Sequence, residues 1–249
     1  MIRLTRSLAV AAALALTALP AGAQDFSTAQ RGEIEKIIKD YLLKHPEVLQ
    51  EAMAELEKKQ AVAESEKARS AVKNHSDAIF NSPRQVTLGN PQGDVTFVEF
   101  FDYNCGYCKR ALTDMVELMG KDPKLKVVLK EFPVLGPSSV EAAQVAVAVR
   151  MQDKTGKKYL EFHQKLLGGR GQVDKAKAIA AAKEVGLDIA RLEKDLKSEE
   201  VAKTLEESMK LAEALGLNGT PSYVIGNDVV IGAVGLAALS QKIQAARQQ

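Results

Sequence analysis

The side chains best suited to chemistry in this sequence are its two cysteines, Cys105 and Cys108. They stand in the run Phe100-Phe101-Asp102-Tyr103-Asn104-Cys105-Gly106-Tyr107-Cys108-Lys109-Arg110. Two thiols with two residues between them can close a small disulfide ring. Such a ring is a poor structural staple, because a very short closed loop removes little chain entropy. It suits a bond that is made and broken. A structural zinc site needs four ligands, and the three histidines, His45, His75 and His163, are scattered. Cu(I) is softer and is satisfied by two thiolates, so a Cu(I) site at Cys105 and Cys108 stands as the alternative. Met53, Met115 and Met119 read as core or seam residues rather than as copper ligands.

The elements around the pair explain why one sulfur should be reactive. Val95 to Phe101 is an apolar run that predicts a buried strand. After the cysteines, Ala111, Leu112, Met115, Val116 and Met119 fall on one face of a predicted helix. Cys105 is therefore expected where strand gives way to helix. The unpaired N–H groups and the positive dipole end found there favour an anion, and the thiolate is the nucleophilic form. Cys108, one turn further in, is expected to be the more buried sulfur.

The chain begins with Arg3 and Arg6, an Ala/Leu-rich run from Ser7 to Leu19, then Pro20 and the small residues Ala21-Gly22-Ala23. That order reads as a signal peptide over residues 1–23, too short to span a bilayer. Its removal leaves 32 bases against the 32 acids of the sequence. With no net charge, no basic block and no further long apolar run, neither a nucleic-acid partner nor membrane insertion of the mature chain is expected. Export places the thiols in an oxidising compartment, the periplasm.

Residues 24–82 predict a helical segment broken at Lys44-His45-Pro46. Ile34, Ile37, Ile38, Tyr41 and Leu42 form one apolar stripe, and Leu49, Met53 and Leu56 another. A seam at three-four spacing is the pattern of helices that associate with copies of themselves. After the boundary at Asn81-Ser82-Pro83, residues 83–249 predict strand, strand, cysteine helix and strand. A helical block follows over residues 138–217, in which Ser138 or Ser139 is expected to cap the first helix. The chain then predicts a hairpin around Gly226-Asn227-Asp228 and a last helix from Gly235. The fold class is α/β.

A strand, Cys-x-x-Cys at a helix start, a helical block and Gly219-Thr220-Pro221 before a hairpin together resemble the thioredoxin fold with the helical insertion of the DsbA family. Tyr41-Leu42-Leu43-Lys44-His45-Pro46-Glu47-Val48-Leu49 and Phe101-Asp102-Tyr103-Asn104-Cys105-Gly106-Tyr107-Cys108 are similar to the ScsC group, named for suppression of copper sensitivity. The resemblance implies a thiol–disulfide oxidoreductase with Cys105 as nucleophile and Cys108 as resolving thiol. Gly106 and Tyr107 would tune the thiolate and, with Thr220 and Pro221, contribute to substrate binding. Pro221, which base rates alone would make trans, would be the family's cis-proline. Thr220 would offer its backbone to an extended substrate. Glu99, six residues before Cys105, would be the buried acid that accepts a proton. His163 reads as a packed or surface residue.

No organic cofactor is implied. The expected partners are secreted proteins carrying cysteines, a membrane redox partner (reductase or oxidase), and further copies of the chain through residues 24–82, as a trimer in some relatives. A disulfide isomerase is the leading reading, with a monomeric dithiol oxidase and a copper-tolerance protein binding Cu(I) as alternatives.

Overall fold

The computed structural model describes residues 26–248. The expected signal peptide, residues 1–23, lies outside them. The described residues form two compact units, one up to Glu57 and one from Lys58.

The first unit holds α1 (Thr28–Lys44) and the start of α2 (Glu47–Asn74). Ser27 caps α1 with a reciprocal capping box to Gln30. Pro46 stands at the break, where it cannot donate the hydrogen bond that would continue α1. No residue of α1 is buried; Ile37 is 66% and Leu43 71% exposed. Leu49, Met53 and Leu56 of α2 are also exposed.

The second unit is built on a five-stranded sheet in the order β1-β3-β2-β4-β5. Its strands are β1 (Val86–Gly89), β2 (Val95–Phe101), β3 (Leu125–Glu131), β4 (Ser222–Ile225) and β5 (Asp228–Ile231). β2 and β3 are parallel, joined across α4 (Gly106–Lys121); the other pairings are antiparallel. The hairpin between β4 and β5 turns on Gly226, whose φ of +59° favours glycine. Between β3 and β4 lie α5 (Pro137–Gln152), α6 (Lys157–Gly168), α7 (Lys175–Glu184), α8 (Ile189–Asp195) and α9 (Glu199–Ala214), and α10 (Leu236–Ala246) follows β5. This is the thioredoxin-like α/β fold expected from the sequence, with a block of helices inserted.

Both faces of the sheet are covered, which is why β2 reads as a near-continuous apolar run. On one face Phe97, Phe101, Val127 and Leu129 pack with Met115, Val145, Phe162 and Leu239. On the other, Val98, Phe100 and Val128 pack with Val72, Ile79, Leu211 and Leu215. The second core shifts the boundary expected at residue 82. Val72, near the end of α2, and Ile79, in α3 (Ser76–Phe80), are fully buried. Each such side chain contributes about 1.5–3 kcal/mol on burial. Lys130 and Lys126 of β3 also donate to the carbonyls of Ala78 at 2.6 Å and Phe80 at 2.7 Å. Residues 58–82 therefore belong to the unit that carries the sheet.

The start of α5 also differs from expectation. Gly136, at φ +107°, is the N-cap and Pro137 begins the helix. Ser139 lies inside the first turn and is buried, and its hydroxyl is directed to Asp102 instead.

Candidate active site

Cys105 is the N-cap residue of α4, and no side chain caps the helix there. The loop Asp102–Asn104 brings the chain from the end of β2 to this position, and the Cys105 N–H donates to the Asp102 carbonyl at 3.1 Å. Both cysteines are free thiols. Cys108 is completely buried and Cys105 is 5% exposed. The Cys105 thiol donates to the carbonyl oxygen of Thr220 at 3.1 Å.

The two sulfurs are driven apart in acidity. The Cys105 thiol is lowered to about 5. A hydrogen bond from the Cys108 thiol is the largest cause; burial opposes it, and the Thr220 side chain and the N–H groups of Cys108 and Tyr107 add to it. Cys108 is pushed far above the ordinary thiol range by that same bond, by burial and by the charge of Glu99. The pair is one coupled system in which Cys105 carries the negative charge.

Glu99 lies in β2 between Leu129 of β3 and Tyr223 of β4. It is 1% exposed, and its Oε2 has no hydrogen-bond partner. Burial first, then the charges of Asp114 and Cys105, push its carboxyl up to about 8. It is thus mostly protonated at neutral pH, with an ionised minority able to take a proton.

The Thr220–Pro221 peptide is cis. β4 begins one residue later, and its Ser222 pairs with Phe100 of β2. That register carries Thr220 and Pro221 to the end of β2 from which the chain runs to Cys105. A Cβ added at Gly106 would meet nothing within 4 Å, so the space over the first turn of α4 is open. Tyr107 is 58% exposed, with the Arg110 guanidinium 4.5 Å from its ring centroid.

Two groups of residues escaped the reading of the sequence. One centres on Asp102, which is 1% exposed. Its Oδ1 accepts from the Asn104 N–H and the Ser139 hydroxyl, each at 2.8 Å, and its Oδ2 from the N–H groups of Val134 and Leu135, each at 2.9 Å. Asn104 clasps Val173, donating to its carbonyl at 2.9 Å and accepting from its N–H at 2.7 Å. The closeness of an Asp and an Asn to the cysteines was a visible signal; their distant partners were not.

The other group is a buried polar chain. Tyr159 donates to Glu131 at 2.6 Å, the Tyr103 hydroxyl is 3.3 Å from that of Tyr159, and His163 Nδ1 is 3.3 Å from Tyr103. Burial lowers His163 to about 3 and raises Glu131 well above the carboxylate range. His163 is thus packed and neutral. Among the described residues no group of three or more His, Cys, Asp or Glu side chains gathers as a metal site.

The chain is similar to known proteins over the region that holds this site. The family model of the DSBA-like thioredoxin domain matches residues 96–244, and that of the copper resistance protein ScsC N-terminal domain matches residues 30–63. A thioredoxin-like oxidoreductase from Silicibacter pomeroyi DSS-3 is 43% identical, covering 70% of this chain and 98% of that one, with a TM-score of 0.66. Proteus mirabilis ScsC in a transitional conformation is 30% identical over 90% of this chain and 97% of that one, with a TM-score of 0.65. Among curated proteins, the Na(+)/H(+) antiporter NhaA 1 of Salinispora arenicola is 26% identical over 165 residues, or 66% of this chain and 25% of that protein. The chain thus spans about a quarter of the length of such curated relatives. The matched domain takes in the cysteines, Glu99 and the cis-proline, and the chain belongs to the DSBA-like thioredoxin domain family.

Proposed function

We propose that the protein is an exported thiol–disulfide oxidoreductase of the periplasm that rearranges disulfides in client proteins, working as an oligomer. The observation that carries the reading is the Cys105 sulfur, at the start of α4 and 3.1 Å from the Thr220 carbonyl beside the cis Pro221. A nucleophile and a turn of backbone that can pair with an extended chain meet there.

In the proposed cycle the Cys105 thiolate attacks one sulfur of a client disulfide. The S–S bond breaks, the second client sulfur leaves as a thiolate, and a mixed disulfide forms. Two outcomes then compete. In isomerisation a client thiolate attacks the client sulfur of the mixed disulfide, which forms a new client bond and releases Cys105 with no net electron transfer. In reduction Cys108 gives its proton to ionised Glu99 and attacks Cys105. The second client thiolate is released and the Cys105–Cys108 disulfide is left, two electrons having passed to the client. Run backwards from the disulfide, the same steps oxidise a client dithiol. The two sulfurs carry the electron pair, so no cofactor is needed. A membrane redox partner would set which form predominates.

The exposed stripe of Ile34, Ile37, Ile38 and Tyr41, with Leu49, Met53 and Leu56 beyond it, supports self-association. So does the match of residues 30–63 to the ScsC N-terminal domain. Isomerisation gains from several active sites facing one misfolded client.

The test is refolding of a scrambled, disulfide-bonded ribonuclease, run beside oxidation of its reduced form. Isomerisation by the reduced protein, lost in Cys105→Ala, is expected. Oxidation without isomerisation would replace the reading with a dithiol oxidase.

A further inference from the structure

The Asp102 carboxylate is satisfied by donors from three separate parts of the chain. Asn104 belongs to the turn that delivers Cys105, Val134 and Leu135 to the segment after β3, and Ser139 to the first turn of α5. The Ser139 hydroxyl also accepts from Asn104 Nδ2 at 3.0 Å. The same Asn104 holds the backbone of Val173 ahead of α7. A single buried acid thus ties the active-site turn to the helical insertion.

What it holds matters for the client. Val134 and Leu135 are fixed by their N–H groups while their side chains stand in solvent, at 41% and 51% exposed. Cys105 is bonded to Thr220 through its sulfur and to the Asp102 carbonyl through its N–H. Because the same carboxylate also holds the N–H of Asn104, the residue before Cys105, the Val134–Leu135 segment lies close to the turn that delivers the nucleophile, as an exposed apolar wall. An unanchored pair of exposed apolar residues would have to be ordered on every encounter, and that ordering entropy would oppose binding.

We propose that Asp102 is a positioning residue for client recognition: it fixes the Val134–Leu135 backbone as a preformed wall that receives an apolar side chain next to the client cysteine. This rests on the oxidoreductase reading above. Asn is a poor replacement despite its shape. Its amide offers one accepting oxygen, and its NH2 must face two of the four donors.

The measurement is a ratio of rates in the full chain. One substrate is a fluorescent peptide disulfide with leucine next to the cysteine; the other is oxidised glutathione, too small to reach the wall. Asp102→Asn is expected to lower the peptide-to-glutathione ratio by about tenfold, or about 1.4 kcal/mol, near what burial of one apolar side chain is worth. Ser139→Ala, which removes one donor of four, should lower it by about two- to threefold. The double variant Val134→Ser/Leu135→Ser tests the wall without touching Asp102 and should match Asp102→Asn. Unchanged ratios in Ser139→Ala and the double variant would overturn the proposal even if Asp102→Asn fails to fold. An equal loss with both substrates would also overturn it, because a merely structural role lowers the two together. A wild-type protein inert toward both disulfides would instead remove the oxidoreductase reading itself.

Discussion

The sulfur of Cys105 and the carbonyl oxygen of Thr220 are 3.1 Å apart although 115 positions separate the residues in the chain. The parallel crossover from β2 through α4 delivers the first, and the antiparallel return of β4 beside β2 delivers the second. On the proposed function, an extended client paired with Thr220 would present its disulfide to Cys105.

The acidity of Cys105 is the first thing to measure. The pH dependence of its alkylation by iodoacetamide should have a midpoint near 5. Replacing Cys108 with Ala should move that midpoint up toward the ordinary thiol range, since the Cys108 thiol is the largest support of the thiolate. An ordinary midpoint in the wild type would remove the basis for a reactive sulfur.

Stability should pass through a trough near pH 8. It is best read by denaturant melts in a Cys105→Ser/Cys108→Ser background that silences the thiols. Glu99 is raised from 4.5 to about 8, so the folded state holds a proton that the unfolded state has lost, and stability falls as pH rises across that window. Lys130, buried under the sheet, is lowered from 10.5 to about 8. The unfolded state keeps its proton longer, and stability rises again from about 8 to 10.5. Glu99→Gln should make the falling limb shallower, the remaining fall belonging to Glu131, whose carboxyl is also raised by burial. Lys130→Met should abolish the rising limb.

Tyr159→Phe should destabilise the protein by about 2 kcal/mol, the cost of leaving a buried partner unsatisfied. The partner is Glu131, which accepts from the lost hydroxyl at 2.6 Å. Urea melts at neutral pH read this directly, and a change below a few tenths would mean that the Tyr103–Tyr159–His163 chain rearranges around the gap.

Deletion of residues 24–57 should leave a monomer in sedimentation, while the mature chain sediments as an oligomer. Ile37→Lys with Ile38→Lys should have the same effect without shortening the chain. A monomeric mature chain would move the function toward a dithiol oxidase.

The fold was legible because its signals are local. Val95 to Phe101 has the composition of a strand buried on both sides, and Gly226-Asn227 marks a hairpin. Cys105, Cys108 and Pro221 were visible from spacing and from the family resemblance. What stayed hidden depends on pairing across the chain. Asp102 is explained by Ser139, 37 positions away, and Tyr103 by His163, 60 positions away. Ser139 looked like a cap because serine caps helices, but Gly136-Pro137 had already begun α5 three residues earlier. The end of α2 looked solvated because its sequence is rich in Ala, Glu and Lys, and Val72 gave little hint that it enters a core.

The uneven burial of the two sulfurs also bears on damage. Peroxide diffusing in from outside meets Cys105, which keeps the little exposure the pair has, and not the sealed Cys108. The sulfenic acid formed there would lie against a thiol already hydrogen-bonded to it, and the two would condense to a disulfide with loss of water. An oxidative hit that elsewhere would run on to an irreversible acid would here end as a reversible disulfide.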